Sequence, residues 1–163
     1  MLAMKDLIQI NSFYTFGIVS SRGGHLFQLL QLKKLCSLKK RFWVTFPGKD
    51  VDFYLKNEKK LYAFYPESRN IVNTIKNFFV AFKIFRKKKP KYLLSCGAAI
   101  AVPFFIVGKI FFHTKLIYIE PYDFIAYPSL TGKILYNLVD LFLVQHKHQL
   151  KWFPKAKFYG SLL

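Results

Sequence analysis

The sequence is poor in acid. Eight Asp and Glu stand against 26 Lys and Arg, a formal net charge of +18 over 163 residues. A domain with balanced surface charge is excluded, and an anionic partner is expected: nucleic acid, an anionic membrane surface or a phosphorylated substrate. Cysteine is scarce. Cys36 and Cys96 alone make no disulfide framework and point to a reducing compartment. Cys36 reads as a small packed hydrophobe, and Cys96 lacks the neighbouring charge of a reactive thiolate. The four histidines form no cluster with Cys: His146 and His148 are two apart, and His113 falls at a helix end. No metal site and no resident cofactor are expected. Long apolar runs are missing too. Met1 to Gln9 includes Lys5 and Asp6 and does not read as a signal peptide. Ala98 to Phe112 carries Pro103 and Lys109 and falls short of the roughly 20 apolar residues a bilayer requires; it reads as a buried helix.

What is present is apolar and aromatic. Hydrophobic residues make up 53% and aromatics 19%, which excludes a disordered basic tail. The length suits one domain over residues 1–163, and no repeat or linker interrupts it. Apolar runs recur at Phe13–Ser20, Phe42–Phe46, Leu61–Tyr65, Tyr92–Cys96, Leu116–Glu120 and Asp140–Gln145. They are mostly continuous rather than alternating, as in strands buried on both faces of a parallel sheet. Helical spacing fills Leu26–Leu35, Asn70–Lys89, Ala98–Phe112 and Ser129–Tyr136. The alternation predicts right-handed βαβ units: an open, mostly parallel, Rossmann-like α/β sheet with helices on both faces.

Ligands of such sheets bind at the carboxyl ends of the strands, so the loops there are the candidate site. Ser20-Ser21-Arg22-Gly23-Gly24-His25 leads from a strand into a helix. Two glycines allow close backbone approach, and a helix N-terminus offers free amides to a phosphate or pyrophosphate. The loop has neither Walker nor dinucleotide-fold spacing, and a tight turn with a capping His fits it as well. Ser95-Cys96-Gly97-Ala98 repeats the arrangement. Glu120 ends a strand and is followed by Asp123 and by Pro128-Ser129-Leu130-Thr131-Gly132-Lys133. An acid there serves either as a base or sugar ligand, or as a cap for the next helix.

Taken in order, Ser21-Arg22-Gly23-Gly24-His25-Leu26, Phe42-Trp43-Val44-Thr45-Phe46, Ser68-Arg69-Asn70, Ser95-Cys96-Gly97-Ala98 with Val102-Pro103, Tyr118-Ile119-Glu120, Pro128 to Lys133 and Val144-Gln145 form one pattern. The chain resembles the Alg-fourteen-like subunits of split glycosyltransferases, including bacterial capsular and exopolysaccharide enhancer proteins. The resemblance implies the N-terminal half of a GT-B glycosyltransferase akin to family 28. It also implies an Alg-thirteen-like partner subunit that carries most of the UDP-sugar site, and a polyprenyl-pyrophosphate-sugar acceptor. His25 and Glu120 would then be the catalytic candidates. Ser21, Arg22, Gly23, Gly24, Gly97, Ala98, Arg69, Asn70, Ser129 and Thr131 would face the acceptor and its phosphates. Arg22, Phe124 and His146 depart from the residues usual in that family.

The charge fits an enzyme subunit on the cytoplasmic face of a membrane, bound peripherally. Lys and Arg near an anionic surface contribute about 1 kcal/mol each, and aromatics settle at headgroup level. The expected docking helix carries Phe78, Phe79, Phe82 and Phe85 beside Lys83, Arg86, Lys87, Lys88 and Lys89. A second face is Phe111 and Phe112, whereas Phe104 and Phe105 are expected to pack on the sheet. The alternative, a basic nucleic-acid-binding domain, has charge in its favour but no recognised motif. No nucleic-acid partner is expected.

Overall fold

The computed structural model describes residues 15–35, 40–67 and 69–163. The readings on Met1–Gln9, Phe13, Cys36 and Ser68 lie outside them. Among the described residues seven strands are formed: β1 (Phe16–Val19), β2 (Arg41–Thr45), β3 (Lys60–Tyr62), β4 (Tyr92–Cys96), β5 (Lys115–Ile119), β6 (Leu141–Val144) and β7 (Lys157–Phe158). The helices are α1 (Gly24–Leu35), α2 (Lys49–Tyr54), α3 (Ile71–Lys88), α4 (Ala101–Phe112) and α5 (Leu130–Leu135), with a 3₁₀ turn at Lys147–Lys151. All strand pairs are parallel, in the order β3-β2-β1-β4-β5-β6-β7. The expected doubly wound sheet is what forms. The direction of winding reverses between β1 and β4, and such a switch point opens a crevice at the carboxyl ends.

Each strand is apolar throughout because both faces are covered. One face packs Phe85, Phe104, Phe105, Tyr118 and Phe142 under α3, α4 and α5. The other packs Ile18, Leu26, Leu29, Trp43, Val51 and Leu94 under α1 and α2, with Tyr159 and Leu162 of the C-terminal segment against it. Phe104 and Phe105 are fully buried, as expected. In α4, Gly108 brings the helix against α3, since a Cβ there would lie 2.7 Å from the Phe85 ring. Asn77 of α3 is buried; its amide accepts from Phe64 N–H at 2.8 Å and donates to Phe64 C=O at 3.1 Å, closing the backbone after β3.

Two docking expectations are corrected. Phe85 is fully buried, and Phe78 lies half-buried against the core. The outer stripe of α3 is instead Ile71, Val72, Ile75, Phe79 and Phe82, with Phe79 73% exposed. Lys83, Arg86 and Lys87 are exposed beside it, and Phe111 of α4 extends it, its ring 5.6 Å from Phe82.

Candidate functional site at the sheet switch point

The two glycine loops sit side by side because β1 and β4 are neighbours. Ser95 Oγ donates to Val19 C=O at 2.7 Å and ties the two strand ends together. Gly23 has φ +70°, Gly97 +68° and Ala98 +63°, all in the left-handed region where glycine is favoured. The first turn of α1 leaves the amides of Gly24, His25 and Leu26 without an intrahelical partner. That is the donor set of an anion site.

His25 stands where three loops meet. A Cβ on Gly97 would come closer than 3.0 Å to both the His25 ring and Pro121, so Gly97 is the space that the imidazole occupies. Nδ1 of His25 is buried with no hydrogen-bond partner. Burial lowers its pKa below 6.5, and the carboxylate of Asp123 partly opposes that shift. The ring is therefore neutral at neutral pH, with a nearby negative charge ready to stabilise its protonated form.

The other predicted residues divide. Ser21 is buried, its Oγ donating to Arg22 C=O at 3.3 Å. Arg22 turns away from α1: it donates to Pro47 C=O at 3.0 Å and lies 5.1 Å from the centre of the Tyr65 ring. Gly23 N–H is held by Asp50 Oδ2 at 2.9 Å, so an acid of α2 already sits at this loop. Arg69 is exposed in a left-handed conformation, φ +53°. Asn70 is the N-cap of α3, accepting from Asn73 N–H at 2.9 Å.

Glu120 is fully buried. Ser129 donates to it twice, N–H to Oε1 at 2.6 Å and Oγ to Oε2 at 2.9 Å, and Ser129 Oγ accepts from Gly132 N–H at 2.8 Å. Tyr118 OH lies 3.2 Å from the same Oγ. Burial raises the carboxyl pKa, while the bonds from Ser129 and Tyr118 pull it back. Glu120 and Ser129 thus build the α5 N-terminus, and Thr131 is buried within that helix. Of the two roles open to Glu120, the geometry is that of the capping carboxylate. His25 is not joined to it.

A buried amide network carries the loops. Gln28 Oε1 accepts from Gln145 Nε2 at 2.7 Å, Tyr122 N–H at 3.0 Å and Cys96 Sγ at 3.2 Å. Gln145 Nε2 also donates to Glu120 C=O at 3.0 Å. Gln149 donates to Phe124 C=O at 3.0 Å, and His146 Nε2 donates to Tyr122 C=O at 2.9 Å. Burial pushes the Cys96 thiol well up, consistent with an unreactive cysteine. The β5–α5 loop, which carries Asp123 and Pro121, is thereby fixed against α1 and β6. Sequence spacing singles out neither Gln28 nor Asp50, and Asp123 enters only as a neighbour of Glu120. An acid just after Pro47-Gly48, at a strand's carboxyl end, is the signal that marks Asp50.

The profile of the family "Oligosaccharide biosynthesis protein Alg14 like" matches residues 64–162. The chain belongs to the Alg14-like family. It is 28% identical over 175 residues to "UDP-N-acetylglucosamine transferase subunit ALG14" of Yarrowia lipolytica, covering 90% of this chain and 80% of that one. A 50-residue stretch is 46% identical to the protein of the same name from Kluyveromyces lactis, 31% of this chain and 21% of that one. Among solved structures, Acinetobacter baumannii MurG superposes with a TM-score of 0.66 at 16% identity, over 80% of this chain and 41% of MurG. MnaA of S. aureus, in a UDP co-structure, gives 0.68 at 12% identity, over 91% and 44%. At these identities the likeness is one of fold: this Alg14-like chain has the Rossmann-like fold shared with GT-B-type enzymes. It spans less than half the length of those two structures. Among the described residues no helix is long and apolar enough to cross a membrane, and no His, Cys, Asp and Glu group suits a metal ion.

Proposed function

We propose that this chain is the acceptor-binding, non-autonomous subunit of a two-component, UDP-sugar-dependent glycosyltransferase. The observation that carries the reading is the buried, unpartnered Nδ1 of His25 between two left-handed glycine loops at the switch point. The Yarrowia relative's name makes UDP-N-acetylglucosamine the first donor to test. A separate Alg-thirteen-like subunit supplies the donor-binding half, consistent with a match that spans 41% of MurG. The acceptor is a polyprenyl-pyrophosphate-sugar on the cytoplasmic leaflet, in lipid-linked saccharide synthesis of the oligosaccharide, capsule or exopolysaccharide kind.

In the transfer, an acceptor hydroxyl attacks the donor's anomeric carbon, the bond to UDP breaks, and the hydroxyl loses its proton. Neutral His25 accepts that proton, and Asp123 stabilises the imidazolium that forms. The α1 amides and the Gly97–Ala98 backbone hold the acceptor pyrophosphate. An entering phosphate competes with Asp50 for Gly23 N–H.

The test is reconstitution with an Alg-thirteen-like subunit, UDP-sugar and a polyprenyl-pyrophosphate-sugar. Transfer requires both chains, and His25→Ala lowers the rate at least a hundredfold, within the usual span for a lost general base, while partner binding is unchanged. Full activity from this chain alone overturns the split enzyme; unchanged turnover removes His25 from the chemistry.

A further inference from the structure

A second cationic site lies at the opposite edge of the sheet. Helices α3 and α4 both run from the carboxyl edge of the strands to their amino edge. Between their C-terminal ends is a cavity of about 710 Å³ lined by Arg86, Lys89, Lys91 and His113, with Phe111 and Phe112 as its apolar wall. No acid lines it. The nearby Asp140 is held at 2.9 Å by Lys109 and at 3.3 Å by Lys115. Strand β4, Tyr92–Cys96, lies between Lys91 at this cavity and Gly97 at the glycine loops, a separation of about 20 Å at 3.3 Å per residue. The two sites are distinct.

Helix dipoles explain part of this charge, since each C-terminus carries about half a negative charge. Two termini give roughly −1, against two permanent cations in Arg86 and Lys89, with His113 in addition. The cation excess therefore survives. The caps are also costly choices. Lys89 and His113 both sit at left-handed C-cap positions, φ +45° and +49°, where glycine is the favoured residue. The sequence places a cationic side chain at each.

Arg86 also lines an adjoining apolar cavity of about 410 Å³ with Phe79, Phe82, Lys83 and Lys87. Phe82 meets the Phe111 and Phe112 rings at 5.6 and 5.3 Å. A compact cationic pocket thus opens directly onto an exposed aromatic stripe. We infer that the cavity between the α3 and α4 C-termini binds the phosphate of one anionic phospholipid, with its acyl chains along Phe79, Phe82 and Phe111. The inference rests on membrane association as proposed above and adds a defined headgroup site to it. Arg86 supplies a planar guanidinium for the phosphate oxygens, and Lys89 supplies a point charge.

The probe is a short-chain phosphatidylglycerol kept below its micelle concentration, titrated into the full chain by calorimetry. One saturable site is expected. R86Q/K89Q weakens it at least tenfold, whereas K155Q/K157Q, which removes equal charge from exposed positions outside α3 and α4, changes it less than twofold. Inorganic phosphate alone binds at least tenfold more weakly than the lipid. Absence of saturable binding, equal losses in the two variants, or phosphate binding as tight as lipid each overturns the site. Cosedimentation with phosphatidylglycerol-containing vesicles separates the two levels. A chain that pellets but does not bind the short-chain lipid retains membrane association and loses the pocket; one that does neither loses both.

Discussion

His25 gains its character from neighbours rather than from sequence position. Gly97 leaves room for the ring, Pro121 flanks it, and Asp123 supplies the opposing charge. With the folded pKa below the ordinary 6.5, the unfolded chain binds a proton in that window that the folded chain does not. Stability therefore rises with pH through the window and falls as acid protonates the buried ring. An NMR titration of His25 is expected to give a midpoint below 6.5, and Asp123→Asn is expected to move it lower still by removing the one group that opposes burial. A midpoint at or above 6.5 refutes the neutral base, and an unmoved midpoint in Asp123→Asn takes Asp123 out of its environment. Glu120 shows the converse: an acid in a promising position whose two oxygens both receive bonds from Ser129.

At the level of elements, α3 serves two masters, and its faces are separable by experiment. Phe79→Ser on the outer stripe is expected to leave stability within about 0.5 kcal/mol while weakening vesicle binding. Phe85→Ala on the inner face is expected to cost about 3–5 kcal/mol, read by urea unfolding. If Phe79→Ser destabilises as much as Phe85→Ala, the stripe is core and not a docking face. The sequence pattern made α3 legible, with its Asn70 and Lys89 ends, because eighteen residues carry several turns of periodicity. It did not divide the phenylalanines between faces: Phe78, Phe79, Phe82 and Phe85 all fit a broad apolar arc. The six strands read from apolar runs are present, since burial on both faces leaves a continuous signal. Helix α2 buries only Val51 within its span and so leaves no apolar spacing to read, and β7, at two residues, is too short to carry a period. The Gly-Gly-His and Gly-Ala loops are legible because glycine marks positive φ. Asp50 and Gln28 are not, since their partners come from distant loops that only the strand order brings together.

For the whole molecule, the acids are largely committed. Glu58 pairs with Arg41, Asp52 with Lys60, Asp140 with two lysines, and Glu120 is buried. With 26 Lys and Arg against 8 acids, the +18 excess is far more than these pairs can neutralise. Pelleting with anionic vesicles is therefore expected at 0.1 M salt and lost near 1 M, as the screening length falls from about 10 to 3 Å. Retention at 1 M shifts the attraction from charge to the aromatic stripe. The strand order has a further consequence, for synthesis. Strand β1 is bonded to β2 on one side and β4 on the other. The second partner emerges from the ribosome about fifty residues after the first, roughly 3–10 s at ordinary elongation rates. For that interval the centre of the finished sheet is a bare edge, open to pairing with another chain. A ribosome stalled before Tyr92 would hold a nascent chain with that edge still unpaired, making the α3 coding stretch the interval in which chaperone cover matters most.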